Sequence, residues 1–250
     1  MDDTAESRLD SEQPTPGDND DDKTSRTALA LVNTVNKVVR NGIGPVTGSA
    51  AWAESRLRAV QGDRYDSSLL GNRGGTPAED VDKVIGRLIK ESIMAAGSAG
   101  FVTGLGGFLT LPITLPANVA GALVINVRLA GAIAYLRGYD LDDPHTQAMI
   151  PLVAVGSNIQ STLSALGAQI GVKLTEQAIR KVSIDLIRKI NQKLGFMLLA
   201  KYGTKRALIT LAKAVPLVGG VVGGGIDATL TGAVGRSADK LFTPLTPLAS

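Results

Sequence analysis

Residues 93–127 read IMAAGSAGFVTGLGGFLTLPITLPANVAGALVINV, and this stretch decides the fold class. It contains no Asp, Glu, Lys or Arg, although it lies between Glu91 and Arg128. A water-exposed helix needs a polar face, so such a long uncharged stretch must be buried in a protein interior or in lipid. Its many Gly, Ala, Ser and Thr residues let helix backbones approach closely. We therefore expect tightly packed, sheltered helices here.

Two prolines divide the uncharged stretch. Pro112 and Pro116 belong to the sequence LPITLP, and a proline inside a helix removes a hydrogen bond and clashes with the preceding turn. The pattern predicts a bend flanked by two apolar helices of about twenty residues, at 93–111 and 117–136. Each arm is long enough for a membrane-inserted hairpin or for a buried helical pair. Both alternatives remain open from the residues alone.

The remaining chain reads as helices separated by Gly and Pro turns. Apolar residues share one face over 28–41, and a short helix from Ser49 to just before Gly62 is expected to bury Trp52. The sequence TPAE at 76–79 is a capping box with proline at the first helical position. We find no convincing alternation typical of strands. The predicted fold is all-α: a helical bundle with a Gly/Ala-rich apolar hairpin.

The amino-terminal charge pattern predicts a separate segment. The whole chain has a net charge of +3, but residues 1–25 carry nine acids against Arg8 and Lys23. Such a segment buries too little apolar surface to order itself, so we expect residues 1–25 to be a disordered acidic tail. Residues 26–75 are then amino-terminal helices and a mobile linker, residues 76–242 the main helical domain, and residues 243–250 a carboxyl-terminal tail.

A basic amphipathic helix is expected within residues 173–213, which carry ten bases against Glu176 and Asp185. Apolar residues recur there at steps of three and four and face away from the bases. This pattern predicts contact with an anionic lipid surface, or else a solvated basic face. Nucleic acid is the least favoured partner because no recognition motif accompanies the bases. The candidate contact residues are Arg180, Lys181, Arg188, Lys189 and Lys193.

Residues that support catalysis are scarce. The chain has no cysteine, and its only histidine, His145, follows Asp143 and Pro144 at an expected helix start, where a capping role fits best. Asp140, Asp142 and Asp143 lack the spacing of a calcium loop, and turn or cap roles explain them. The glycine run at 219–225 lacks the preceding strand and following Gly-Lys of a phosphate loop. We expect no catalytic residues, no metal and no cofactor.

Two charged residues lie at the borders of uncharged segments. Isolated ions in apolar surroundings are costly, so such residues often pair or line a wet cavity. We predict that Arg128 and Asp227 approach each other and join the central hairpin to the last helix. The alternative is that each reaches the surface from a helix end.

Two segments carry a resemblance to a known family. They are FVTGLGGFLTLPITLPANVAGALVINVRLAGAIAYLRGYDLDD at 101–143 and AVPLVGGVVGGGIDATLTGAVGRSADKLF at 214–242. The turn from Ile133 to Asp140 and the run from Pro216 to Gly220 are the more specific parts, and the chain resembles the bacterial EcsC family over residues 77–242. The resemblance implies a helical, membrane-associated protein linked to an ABC transporter. It implies no catalytic residues, because the family has no established catalytic mechanism.

Three classes of function follow as hypotheses. The first is a non-enzymatic, membrane-associated protein that binds lipid, fatty acid or another apolar ligand. The second is an accessory subunit of an ABC-type transporter or other membrane complex, and the third is an enzyme acting on lipids or peptides. We favour the first, with a cytoplasmic location, peripheral or hairpin-inserted at the inner face of the cell membrane, since the start of the chain lacks a secretory signal pattern. The expected apolar contacts are Phe101, Leu105, Phe108, Leu111, Ile113 and Leu115.

Overall fold

A computed structural model describes residues 16–68, 76–97, 117–156, 164–165, 177, 180–202 and 219–245. The described residues form seven longer helices and one very short hairpin, which confirms the all-α prediction. The helices are α1 (Pro16–Asn41), α2 (Ser49–Gln61), α3 (Ala78–Gly97), α4 (Ala117–Leu136), α5 (Pro144–Ala154), α6 (Ile184–Tyr202) and α7 (Gly219–Leu241).

Helix α1 begins earlier than the composition of the chain suggests. It starts at Pro16, inside the segment of residues 1–25 that we expect from the composition to be a disordered tail, and residues 1–15 lie outside the described part. Proline suits the first position of a helix. Burial of Leu31, Val35 and Val38 then anchors the helix to the core.

A two-residue hairpin joins α1 to α2. Strand β1 (Gly42–Ile43) pairs antiparallel with β2 (Val46–Thr47), and Gly42 lies opposite Thr47. Gly42 has a φ of +79°, and a Cβ atom there would lie 2.0 Å from the carbonyl oxygen of Val46. Only glycine fits this position. The sequence pattern missed the hairpin because two residues are too few to show a strand period.

Helix α4 is the centre of the bundle. It packs against α1, α2, α3, α5 and α7, and almost every side chain from residue 121 to 136 is buried or half-buried. Val127, Leu129 and Ile133 are fully enclosed by protein. The second arm of the predicted hairpin is therefore a core helix, and residues 98–116 of that hairpin lie outside the described part. No described helix combines the length and the hydropathy that crossing a membrane requires.

A glycine turn ends α4 and fixes the chain that follows. Gly138 has a φ of +94°, and the amide of Tyr139 donates to the carbonyl of Ala134 at 3.0 Å. This is the Schellman arrangement, in which glycine takes the left-handed position after the last helical turn. The ring of Tyr139 then packs edge-on against Phe242 at 5.1 Å, which holds the end of α7 against the end of α4.

Helix α5 begins as the sequence predicts. Asp143 is its amino-terminal cap, and its carboxylate accepts hydrogen bonds from the amide of His145 at 3.4 Å and the hydroxyl of Thr146 at 3.2 Å. The two ring nitrogens of His145 lie 3.1 Å from the carboxylate of Asp143 and 3.0 Å from the carbonyl oxygen of Val182. His145 thus ties the start of α5 to the segment that precedes α6.

Candidate functional site

A pocket of about 220 Å³ lies where α2, α3 and α4 meet. It combines two guanidinium groups, one carboxylate and one hydroxyl with an indole and aliphatic side chains. Its lining residues are Trp52, Arg56, Glu91, Ser92, Ala95, Ile125 and Arg128. Three helices that meet in the core therefore leave a small amphiphilic space beside the central helix.

Arg128 is the most unusual residue in this pocket. Its guanidinium carbon lies 4.1 Å from the centre of the Trp52 ring, and one terminal nitrogen donates to the hydroxyl of Thr47 at 2.8 Å. Its Nε atom is buried and has no hydrogen-bond partner among the described residues. Among the residues that the structure describes, Arg128 pairs with no carboxylate. A cation over an indole face is stabilised by the ring electrons, yet it keeps its full positive charge.

Burial perturbs Arg128 strongly. Desolvation, assisted by the positive charge of Arg56, lowers the pKa of Arg128 to about 10, and the charge of Glu91 only partly opposes this. Arg128 therefore remains protonated near neutral pH but is poorly solvated. A desolvated cation without a paired anion favours the binding of an external anion, because the anion restores the lost interactions.

Glu91 does not neutralise Arg128, because two other arginines already engage it. The Nε atom of Arg56 lies 2.9 Å from both carboxylate oxygens, and the Nε atom of Arg87 lies 3.5 Å from one of them. Arg87 is one helical turn before Glu91, which is the spacing at which helical side chains meet. The side chains of this cluster thus carry three positive charges and one negative charge.

Ser92 contributes a second unsatisfied group. It is only 3% exposed, and its hydroxyl has no hydrogen-bond partner among the described residues. A buried hydroxyl without a partner costs free energy, so such a group in a pocket favours a ligand that can hydrogen-bond to it. The hydroxyl, the guanidinium of Arg128 and the apolar surfaces of Ala95 and Ile125 can together bind an oxyanion that carries an apolar group.

The predicted basic surface lies elsewhere, on α6 and the residues before it. Its five predicted contact residues are all exposed: Arg180, Lys181, Arg188, Lys189 and Lys193. The opposite side of α6 is buried against α1 and α5. The apolar stripe of this amphipathic helix therefore belongs to the protein core, and the bases face outward. Two apolar side chains share the outward surface, namely Ile184, 51% exposed, and Phe196, 43% exposed.

The predicted pair of Arg128 and Asp227 is not formed. Helix α4 turns Asn126 towards α7, where its amide oxygen accepts from the hydroxyl of Thr231 at 2.9 Å. Two residues further along a helix the direction changes by about 200°, so Arg128 faces α2 instead. Asp227 is half-buried on α7, and burial raises its pKa. The prediction is wrong because the two residues occupy different faces of the bundle.

The remaining candidate residues have structural roles or lie outside the described part of the chain. Asp140 accepts a hydrogen bond from the amide of Asp142 at 2.9 Å within a turn, and Asp143 and His145 form the cap of α5. Within the described ranges, no group of three potential metal ligands is found. The predicted apolar contacts Phe101, Leu105, Phe108, Leu111, Ile113 and Leu115 all lie outside the described residues.

The sequence pattern contained one unused sign of the pocket. Glu91 and Arg128 are the charged residues that bound the uncharged stretch, and both line the pocket. The other members, Arg56 and Ser92, carried no sign of their role. Trp52 was expected only as a core residue, and it is indeed buried while its face supports Arg128.

Comparison with known proteins identifies a family. The model of the EcsC protein family matches residues 51–244, which is most of the chain. The match includes nearly all of α2 as well as α3 to α7, so it covers every element that lines the pocket. No curated protein and no solved structure matches the chain.

Proposed function

Since this chain belongs to the EcsC protein family, we propose that it is a non-enzymatic, membrane-associated helical protein that binds lipid, fatty acid or another apolar ligand. In this proposal it is a peripheral protein at the inner face of the cell membrane. The exposed face of α6 contacts anionic headgroups, and the Gly-rich helical core shelters apolar material. The comparisons support the family alone, so the function rests on the physical features below.

The observation that carries the proposal is the composition of the outward face of α6. Arg188, Lys189 and Lys193 are exposed there between two exposed apolar side chains, Ile184 and Phe196. Each base near an anionic bilayer contributes about 1 kcal/mol, and apolar side chains gain further by entering the boundary between headgroups and acyl chains. Large exposed apolar side chains interspersed with bases suit such a boundary better than they suit bulk water.

A second feature supports docking through the folded helix α6. The buried side of α6 is already packed against α1 and α5, so the helix does not need to refold to present its bases. A rigid surface of this kind loses little conformational entropy on docking. The accessory-subunit alternative would use the same face but would require a protein partner for membrane attachment.

Sedimentation of the purified full chain with vesicles tests the proposal. We expect co-sedimentation with vesicles that contain phosphatidylglycerol and none with pure phosphatidylcholine vesicles, and we expect added salt to weaken binding. The triple variant Arg188→Gln, Lys189→Gln, Lys193→Gln removes three bases from the outward face of α6. At about 1 kcal/mol for each base, binding should weaken by about a hundredfold.

The chain offers a matched control for charge. The triple variant Lys83→Gln, Lys90→Gln, Lys240→Gln removes three exposed bases from α3 and α7, away from α6. Its vesicle binding should remain close to that of the unmodified chain. Equal losses in both triple variants would mean that only net charge matters, and absence of binding to anionic vesicles would overturn membrane docking.

An apolar pair of variants separates insertion from simple charge attraction. Phe196→Ser removes an exposed apolar side chain from the basic face, whereas Leu230→Ser removes one from α7, where Leu230 is 51% exposed. Only Phe196→Ser should weaken binding that persists at high salt, because apolar burial is not screened by ions. If both variants bind alike, insertion of Phe196 is excluded.

A further inference from the structure

We propose that the pocket between α2, α3 and α4 binds the charged end of a monoanionic amphiphile, a carboxylate or phosphodiester joined to an apolar chain. This inference rests on the lipid-binding half of the proposed function and names the ligand class and its site. Within the described part of the chain, three observations carry it: Arg128 pairs with no carboxylate, the hydroxyl of Ser92 has no hydrogen-bond partner, and apolar side chains line the same pocket.

The charge of the pocket selects a single negative charge. Its lining contains the guanidinium groups of Arg56 and Arg128 and the carboxylate of Glu91, which leaves one positive charge in excess within the lining, while Arg87 contacts Glu91 from outside the lining. Arg56 already donates to both oxygens of Glu91, so the excess resides on Arg128. The carboxylate of Glu91 would repel the second negative charge of a dianion. A singly charged carboxylate or phosphodiester balances the site.

Hydrogen bonding selects an oxyanion. Ser92 is more than nine-tenths buried, its hydroxyl can donate, and it lines the pocket together with Arg128. An arginine and a hydroxyl are the donors that proteins use for carboxylate and phosphate oxygens. Halide ions would not use such directed donors as well. Binding would satisfy a hydroxyl that the described residues leave without a partner.

The walls select an apolar substituent on that anion. Ala95 and Ile125 are aliphatic, and the Trp52 indole lies beneath the guanidinium. The volume of about 220 Å³ is below the roughly 300–1,000 Å³ of pockets that enclose drug-sized ligands. The pocket thus holds the charged end and the first carbons, and the remaining chain extends outside it.

Calorimetric titration of the full chain tests this proposal with three probes. Octanoate represents a free fatty acid, dihexanoyl phosphatidylglycerol represents a lipid phosphodiester, and inorganic phosphate lacks the apolar group. We expect saturable binding of octanoate, of the phosphodiester or of both, and much weaker binding of phosphate. Binding of only one amphiphile identifies the source of the anion. Phosphate binding as tight as that of the amphiphiles would overturn the proposal.

Variants locate the binding site. Arg128→Gln removes the charge and should weaken amphiphile binding about ten- to hundredfold, as expected for loss of a charged hydrogen bond. Arg58→Gln is the matched control, because Arg58 also lies over an aromatic ring, Tyr65 at 4.7 Å, but outside the pocket. It should bind like the unmodified chain. Equal affinity of Arg128→Gln and the unmodified chain would overturn the assignment.

A steric variant keeps the test decisive if Arg128→Gln does not fold. Ala95→Leu retains every charge and fills the pocket from α3, so it should abolish octanoate and phosphodiester binding. Persistent binding would place the ligand elsewhere and would overturn the proposal. Vesicle sedimentation of Ala95→Leu should be unchanged. In the unmodified chain, octanoate or phosphodiester binding without vesicle docking would refute the membrane surface alone, and vesicle docking without binding of either amphiphile would refute the pocket alone.

Discussion

Arg128 on helix α4 and Arg137, the residue that directly follows this helix, are in opposite situations. Arg137, directly after the last residue of the helix, has a side chain that is 11% exposed, and it pairs with Asp82 of α3 at 2.9 Å and with Asp239 of α7. Arg128, about two and a half turns earlier, meets a neutral hydroxyl and an indole face. Each has a buried Nε atom that finds no partner among the residues the structure describes, so the difference lies in what the terminal nitrogens contact.

This contrast distinguishes a cation that stabilises the fold from one that can bind an external anion. The charge of Arg137 is balanced by acids from two helices, and its main-chain carbonyl also accepts from the amide of Leu245 at 3.0 Å. It holds the ends of α3, α4 and α7 together. Near Arg128, Glu91 is the one acid among the described lining residues of the pocket, and Arg56 engages it. The same residue type thus serves the fold at one position and leaves a free charge in a pocket at the other.

Replacement of each arginine by methionine should give the largest difference. Arg137→Met leaves two carboxylates without their cation and should lower the free energy of unfolding by about 2–3 kcal/mol. Arg128→Met strands no carboxylate and relieves a desolvated charge, so it should cost less than about 1 kcal/mol. Urea denaturation of both variants measures this. Similar losses would show that the two arginines are equally structural.

The next largest effect on stability is expected at Gly131, which lies between the two arginines in the sequence. A Cβ atom on Gly131 would lie 2.6 Å from the hydroxyl oxygen of Ser49 and 2.8 Å from a methyl group of Val39. Gly131→Ala must push α1 and α2 away from α4, and we expect a loss of about 1–2 kcal/mol. The thermal unfolding temperature should fall accordingly.

Gly86 is the control for this substitution. It lies inside α3, and a Cβ atom there would have no neighbouring atom within 4 Å. Gly86→Ala should therefore stabilise the protein by up to about 1 kcal/mol through helix propensity alone. If Gly131→Ala were also stabilising, close approach of the helices would not explain the glycine. Such a result would argue against the close packing of α2 on α4. In that packing the hydroxyl of Ser49 donates to the main-chain carbonyl of Arg128 at 3.0 Å.

Asp227 provides the smallest effect and the clearest pH dependence. Burial raises its pKa, so the folded protein holds this proton at higher pH than the unfolded chain does. Its ionised form therefore costs stability at neutral pH, and that cost disappears as the pH falls below the unfolded value of about 3.9. Asp227→Asn should gain at most about 0.5 kcal/mol near neutral pH.

Chemical denaturation across pH checks the sign. The gain from Asp227→Asn should shrink steadily as the pH is lowered towards the unfolded pKa of Asp227. The exposed Asp63 serves as control, and Asp63→Asn should show no comparable gain at neutral pH. A loss of stability in Asp227→Asn at neutral pH would mean that a cation, such as the predicted Arg128, pairs with Asp227 after all.

Local signals predicted a large part of the fold. Helix α4 spans 117–136 as expected, because Pro116 precedes it and Gly138 follows it. The start of α5 follows from Asp143 and Pro144 for the same local reason. Such signals act within one turn of the chain and need no tertiary partner. The start of α1 at Pro16 was missed because the prediction used only the acidic composition of residues 1–25. Composition does not show that a helix whose later turns are buried in the core can continue into an acidic segment.

By itself the sequence determined that this protein is helical, that the stretch around 117–136 is sheltered and that α6 is two-sided, since each property depends on neighbours along the chain. The tertiary structure decided that protein encloses α4, that α6 turns its bases outward, and that Arg128 faces α2 rather than Asp227. The reason is directional: periodicity specifies which side chains share a face, whereas the packing partners of each face depend on how separate helices meet.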